Sequence, residues 1–201
     1  MRGTPAVPRP SEVTACRRPG WRTGGILAAM PQLTLDTSSV IHGAQAQPFG
    51  AQIDELVERA RAGQLGLWIT TAFTVDQERA PADKHQRNLA WLSERPLIGT
   101  VPGPFRLDYS GLDGPDKLLS DDHAAADDTL RELLLPGKAT MASRRKITDV
   151  QHLTAHLMAG HDAFVTSDQD DMLDKRETIR ERTGIVVLNP AEAVEMVRAQ
   201  A

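Results

Sequence analysis

"ITDVQHLTAHLMAGHDAFVTSDQDDM", residues 147–172, changes character twice within one short span. Its first half sets Val150, Leu153 and Leu157 three and four residues apart, the period of an amphipathic helix, which we read as 147–159. "AFVT", 163–166, is then a short apolar run of the kind that forms a buried strand. Asp168 follows that strand by two residues, and Asp149 opens the helix before it. The span therefore predicts helix, strand and acid in succession.

The same grammar extends outward. "LTLDTSSVI", 33–41, reads as a strand over 33–36 that ends on Asp36, with Thr37, Ser38 and Ser39 able to start a helix. Ile53, Leu56, Val57 and Ala60 carry a helical period that Gly63 stops. "LGLWIT", 65–70, is a second buried strand, "AFTVDQER" opens a helix, and 82–94 is an amphipathic helix with Leu89, Trp91 and Leu92. The stretch 97–118 is broken by Pro, Gly and Asp, with short strands at 97–101 and 105–109; a helix follows over 120–135. After Asp168 come a short helix, the strand "GIVVL", 184–188, and a last helix from Pro190, a favoured first helical residue. Strands alternating with helices imply an α/β fold of three layers, α/β/α, around a central, mostly parallel sheet.

Composition sets outer limits. A chain of 201 residues is one domain or one domain with an appendage. Its 40% apolar and 25% charged residues suit an ordinary soluble protein, and a net charge of −4 does not advertise a nucleic-acid partner. Nor does it exclude one, because clustered acids that hold a metal would offset basic surface elsewhere. The single Cys16 permits no internal disulfide, which points to a reducing compartment such as the cytoplasm. No apolar run approaches the roughly 20 residues that cross a bilayer, so no membrane partner is expected. Residues 1–30 are rich in Pro, Gly and Arg, hold Glu12 as their one acid and show no periodicity. They read as a disordered tail or a mis-called start ahead of Met30, leaving 31–198 as the folded domain with an extended middle segment at 97–146.

In a parallel sheet the strand ends and following helix starts share one edge, which brings Asp36, Asp76, Asp149 and Asp168 toward each other. Two carboxylates about 4 Å apart repel by roughly 4 kcal/mol at an effective dielectric of about 20. Proteins accept this where hard cations such as Mg²⁺ or Mn²⁺ bind oxygen ligands and act on phosphodiesters. Plainer readings stand beside this one. Asp36 and Asp149 would serve as helix N-caps, Asp168 as a turn cap and Asp76 as a solvated helix residue. Ser38 and Thr166 stand where a hydroxyl either orients a carboxylate or caps a helix. His152 and His156 share a helix face with Asp149, but at about 1.5 Å of rise per residue His156 lies about 10 Å further along, so neither is expected as a ligand. No GxxxxGK[ST] phosphate loop occurs.

The chain resembles the PIN-domain nucleases, including VapC-like toxins of bacterial toxin–antitoxin pairs. The resemblance is carried by "LTLDTSSVI", "WITTAFTVDQE", the 147–172 span and the closing "GIVVLNPAEAV", and covers residues 31–198. It implies a PIN-like fold and a metal-dependent endoribonuclease using Mg²⁺ or Mn²⁺, with Asp36, Asp76, Asp149 and Asp168 as catalytic and metal-holding acids. It further implies RNA as substrate, an antitoxin protein as partner and a homodimer as a possible state. The family has Glu where Asp76 stands; Glu78 is near, but two residues turn a helix by about 200°, so we expect Asp76 in the site. That departure keeps a second reading open, a degenerate domain that binds RNA or protein without cleaving. Asp170 is a candidate outer partner of the metal, Asp171 is expected to face solvent, and Arg144, Arg145 and Lys146 are candidate RNA contacts.

Overall fold

The computed structural model describes residues 30–106, 110, 114–135 and 143–200. Its elements run β1 (Gln32–Leu35), α1 (Thr37–Ala44), α2 (Gly50–Arg61), β2 (Gly66–Thr70), α3 (Ala72–Glu78), α4 (Ala82–Ser93), β3 (Gly99–Val101), α5 (Asp121–Leu134), α6 (Ser143–Ala159), β4 (Ala163–Val165), a π turn (Gln169–Leu173), α7 (Arg176–Thr183), β5 (Val187–Leu188) and α8 (Pro190–Arg198). The strands form one five-stranded sheet in the order β3-β2-β1-β4-β5. Every pairing is parallel, with Leu33 beside both Leu67 and Ala163.

Two apolar clusters fix the layers. Leu33 and Leu35 of β1 and Ala163 and Val165 of β4 join side chains of α1, α2, α4 and α8, such as Val40, Ile53, Trp91 and Val194. Phe164 and Val187 pack instead with Leu130, Leu153 and Ile179 of α5, α6 and α7. Successive strand residues therefore feed opposite faces, as the period of a pleated strand demands. The result is the three-layer α/β/α arrangement with an all-parallel sheet. No described helix is long and apolar enough to cross a membrane.

The boundaries differ from expectation in ways that matter. Asp36 is not the last strand residue but the N-cap of α1, with extended backbone. The helix expected over 147–159 begins at Ser143, so Asp149 lies in its second turn and the N-cap reading of Asp149 falls. Strand β5 covers only Val187–Leu188, and Gly184, expected as its first residue, instead caps α7 at φ 78, the left-handed region that suits glycine. No strand forms at Phe105 and Arg106; Phe105 N–H donates to Lys117 instead, at 2.7 Å, and residues 107–109 lie outside the described residues. So does nearly all of the expected tail, residues 1–29.

The middle segment extends and braces the sheet. β3 pairs with β2 at its edge, and α5 packs on α6 and α7. Buried Asp127 of α5 accepts from Thr154 of α6 at 2.7 Å and pairs with Arg106 and Arg131. Asp116 accepts from Thr71 Oγ1 at 2.7 Å and from Gly103 N–H at 3.1 Å, tying the loop after β3 to the end of β2.

Candidate active site

The order β3-β2-β1-β4-β5 places the chain's reversal between β1 and β4, and ligands of open parallel sheets bind outside such a reversal. A cleft of about 390 Å³ opens there, lined by Asp36, Asp76, Asp149 and Asp168 together with Thr37, Arg79 and Arg145. The structure thus brings all four expected acids to one cleft. Glu78 is exposed and Asp76 is the acid of α3 that lines the cleft.

Asp36 and Asp149 are both buried, at 5% and 6% exposure, yet they are held in opposite ways. Asp36 N–H continues the β1–β4 ladder to Val165 at 2.9 Å. Its Oδ2 accepts from Ser38 Oγ at 2.7 Å and Thr166 Oγ1 at 2.8 Å. Ser38 Oγ in turn accepts from Ser167 N–H at 3.0 Å, so the turns after β1 and β4 are locked together. Asp149, by contrast, keeps a buried Oδ2 with no hydrogen-bond partner. Burial pushes its pKa up to about 8, the charges of Asp36, Asp168 and Asp76 adding to the rise and His152 opposing it.

Asp168 caps the π turn, Oδ1 accepting from Asp171 N–H at 3.1 Å, while Oδ2 accepts from Arg145 Nη2 at 3.0 Å. Burial works against the charge of Arg145, but Asp168, Asp149 and Asp36 raise its pKa. Asp76 Oδ2 accepts from Thr37 Oγ1 at 2.8 Å and lies 3.1 Å from His152 Nε2. Burial alone would lower the pKa of His152; the bond to Asp76 and the nearby charges of Asp36 and Asp149 raise it.

Other expected residues fall elsewhere. Asp170 is exposed on the π turn and does not line the cleft. Asp171 is not solvent-facing: it is half-buried and pairs with Lys146 at 2.9 Å and Lys175 at 3.5 Å, and these partners hold its pKa down against burial. Lys146 is thereby turned to Asp171 rather than to the cleft. Arg145 lines the cleft, and the side chain of Arg144 lies outside the described residues. Sequence reasoning did not place Thr37 or Arg79 at the site, and it weighed His152 only as a metal ligand, not as a partner of Asp76. His152 was legible by spacing: it follows Asp149 by one helical turn, and helical side chains lean toward the N-terminus, back to the level of that acid.

The donor set suits a hard divalent cation, since four carboxylates converge and one buried carboxylate oxygen is unpartnered. Among the described residues, no three His, Cys, Asp or Glu side chains stand in a ready coordination arrangement. Hydroxyls, an imidazole and a guanidinium instead occupy oxygens of Asp36, Asp76 and Asp168.

No family model and no curated protein matches the chain. Among solved structures, it is similar to a chain in the crystal structure of VapBC2 from Rickettsia felis bound to a DNA fragment from their promoter. The two share 12% identity with a TM-score of 0.46, over 79% of this chain and 98% of that one.

Proposed function

We propose that the chain is a divalent-cation-dependent endoribonuclease that hydrolyses RNA phosphodiester bonds. The observation that carries this reading is the cleft itself: carboxylates from four distant parts of the chain meet at the sheet's reversal, one of them with an unpartnered, buried oxygen. Asp36 and Asp149 would hold the main Mg²⁺ or Mn²⁺, with Asp168 and Asp76 completing the site. Bound there, the ion would lower the pKa of an attacking water and offset charge on the phosphoryl oxygens. The chain's own part is to orient these acids through Ser38, Thr166 and Thr37, and to offer Arg145 and Arg79 to flanking phosphates. RNA as the substrate, 5′-phosphate and 3′-hydroxyl products, an antitoxin partner, a homodimer and a place in a type II toxin–antitoxin pair rest on the sequence resemblance.

Purified protein incubated with mixed RNA should cleave with Mn²⁺ and stop with EDTA. Asp36→Asn is nearly isosteric and removes the charge, so it should lower the rate by about 10²-fold or more. Cleavage that survives EDTA, cyclic-phosphate ends, or full activity in Asp36→Asn would overturn the reading. The rival, a binding module that does not cleave, is favoured by the lack of a ready coordination arrangement among the described residues and by Arg145 lying on Asp168. Melting curves that superimpose with and without Mn²⁺ would select the rival.

A further inference from the structure

We propose that His152 is the positioning residue of this site: its Nε2–H holds Asp76 Oδ2 and sets where the second acid stands relative to Asp36 and Asp149. The consequence for cation binding rests on the function proposed above; the geometry does not. His152 is fully buried on α6 and touches three separate elements. Nδ1 lies 2.7 Å from the hydroxyl of Thr70 at the end of β2. Nε2 lies 3.1 Å from Asp76 Oδ2 on α3 and 3.2 Å from Thr37 Oγ1 at the start of α1. Asp36 Oδ1 is 3.8 Å from the same nitrogen.

The position of the hydrogen follows from these partners. Thr37 donates its hydroxyl proton to Asp76 Oδ2, so toward the ring Thr37 Oγ1 is an acceptor. A carboxylate is an acceptor only. Nε2 therefore faces two acceptors and carries a hydrogen whether the ring is neutral or charged, while in the neutral ring Nδ1 accepts from Thr70. Both the Thr37 and the His152 bonds fall on Oδ2 of Asp76, which leaves Oδ1 as the oxygen for a ligand. A satisfied core histidine would need only hydroxyl partners. Here one nitrogen is spent on a carboxylate of the cleft, from the helix that also carries Asp149.

Two substitutions separate positioning from core filling. Gln at 152 can put its amide N–H near the Nε2 position, whereas Asn reaches only the Nδ1 position. Mn²⁺ affinity, read from the electron paramagnetic resonance signal of free Mn²⁺, should fall about tenfold or more in His152→Asn and no more than about threefold in His152→Gln. In an Asp76→Asn background, His152→Asn should weaken Mn²⁺ binding no further. Equal losses in the two variants, or a full additional loss in the Asp76→Asn background, would overturn the proposal. Should neither variant fold, the unmodified protein still decides. Its ¹⁵N–¹H spectrum should show His152 protonated at Nε2, with a resonance that Asp76→Asn moves; a ring protonated at Nδ1 alone would overturn it. If the unmodified protein binds no Mn²⁺, the proposed function fails, and the ring spectrum still tests the Asp76 bond.

Discussion

Along β1, Leu33 and Leu35 enter the apolar cluster formed with α1, α2 and α8, whereas Thr34 between them gives its hydroxyl to the α6 side of the sheet. There Thr34 Oγ1 sits 2.8 Å from His161 Nδ1 and 2.9 Å from His156 Nδ1. Thr70 meets His152 on that side in the same way, and Thr154 meets Asp127. One face is thus held by burial of apolar area, which asks only for shape. The other mixes an apolar cluster with buried polar groups, and each of these needs a partner to offset its desolvation. Along α6 His152, Thr154 and His156 are paired, while Gln151 Oε1 and, at the cleft, Asp149 Oδ2 are left without a partner. The difference teaches that the candidate site is not an isolated set of acids but the open end of a polar network built into one face.

Leu33→Ala should produce the largest effect that tests this contrast. It removes a fully buried side chain from the dry face and should cost about 2–5 kcal/mol in urea unfolding. Thr34→Val, one residue away and close in volume, should cost about 1–3 kcal/mol by the same measurement, because His156 Nδ1 loses its hydroxyl partner in a buried site. A Thr34→Val protein more stable than its parent would show that the α6 face does not depend on polar pairing.

The open end of the network predicts a pH effect. With its pKa raised to about 8, Asp149 binds a proton in the folded chain that it lacks in the unfolded one, so metal-free stability falls as pH rises toward 8. His152, also raised, acts in the same direction. His156, lowered to about 3, is neutral in the fold and affects stability only below the ordinary histidine range. Between about pH 6.5 and 7.5 the decline should therefore reach about 1 kcal/mol per pH unit, and Asp149→Asn should flatten it to the share of His152. Chemical unfolding in chelator at several pH values measures both slopes, and parallel slopes would count against a strained Asp149. The smallest effect concerns the part outside both faces. Beginning the chain at Met30 should leave the melting temperature within a few degrees, and a collapse in solubility would show that residues 1–29 contribute to the fold.

Most of the sheet was legible because its strands are short apolar runs between periodic helices, and "LGLWIT" and "AFVT" lie close to β2 and β4. The start of α6 was not. Arg144, Arg145 and Lys146 are good helix formers, but they bring no apolar period to extend the helix back from Ile147. Missing that turn made Asp149 look like a cap. Asp36 was ambiguous for a sound reason, since it caps α1 and lines the cleft at once. His152 was set aside by a distance that applies to His156. The pairing of Asp171 with Lys146 was illegible because it depends on where α6 lies against the π turn, whereas Lys175, four residues on, was open to a local reading.

The order of the strands also governs when the cleft comes into being. β1 leaves the ribosome first but occupies the centre of the sheet, and the hydroxyl of Thr166 that bonds Asp36 follows 130 residues later. At about 5–20 residues per second of synthesis, that interval is roughly 7–26 s. Until its last stretch the nascent chain lacks Asp149, and throughout it lacks Asp168. Whatever chemistry the four acids perform is therefore withheld from the ribosome's own surroundings until Asp168 has been made.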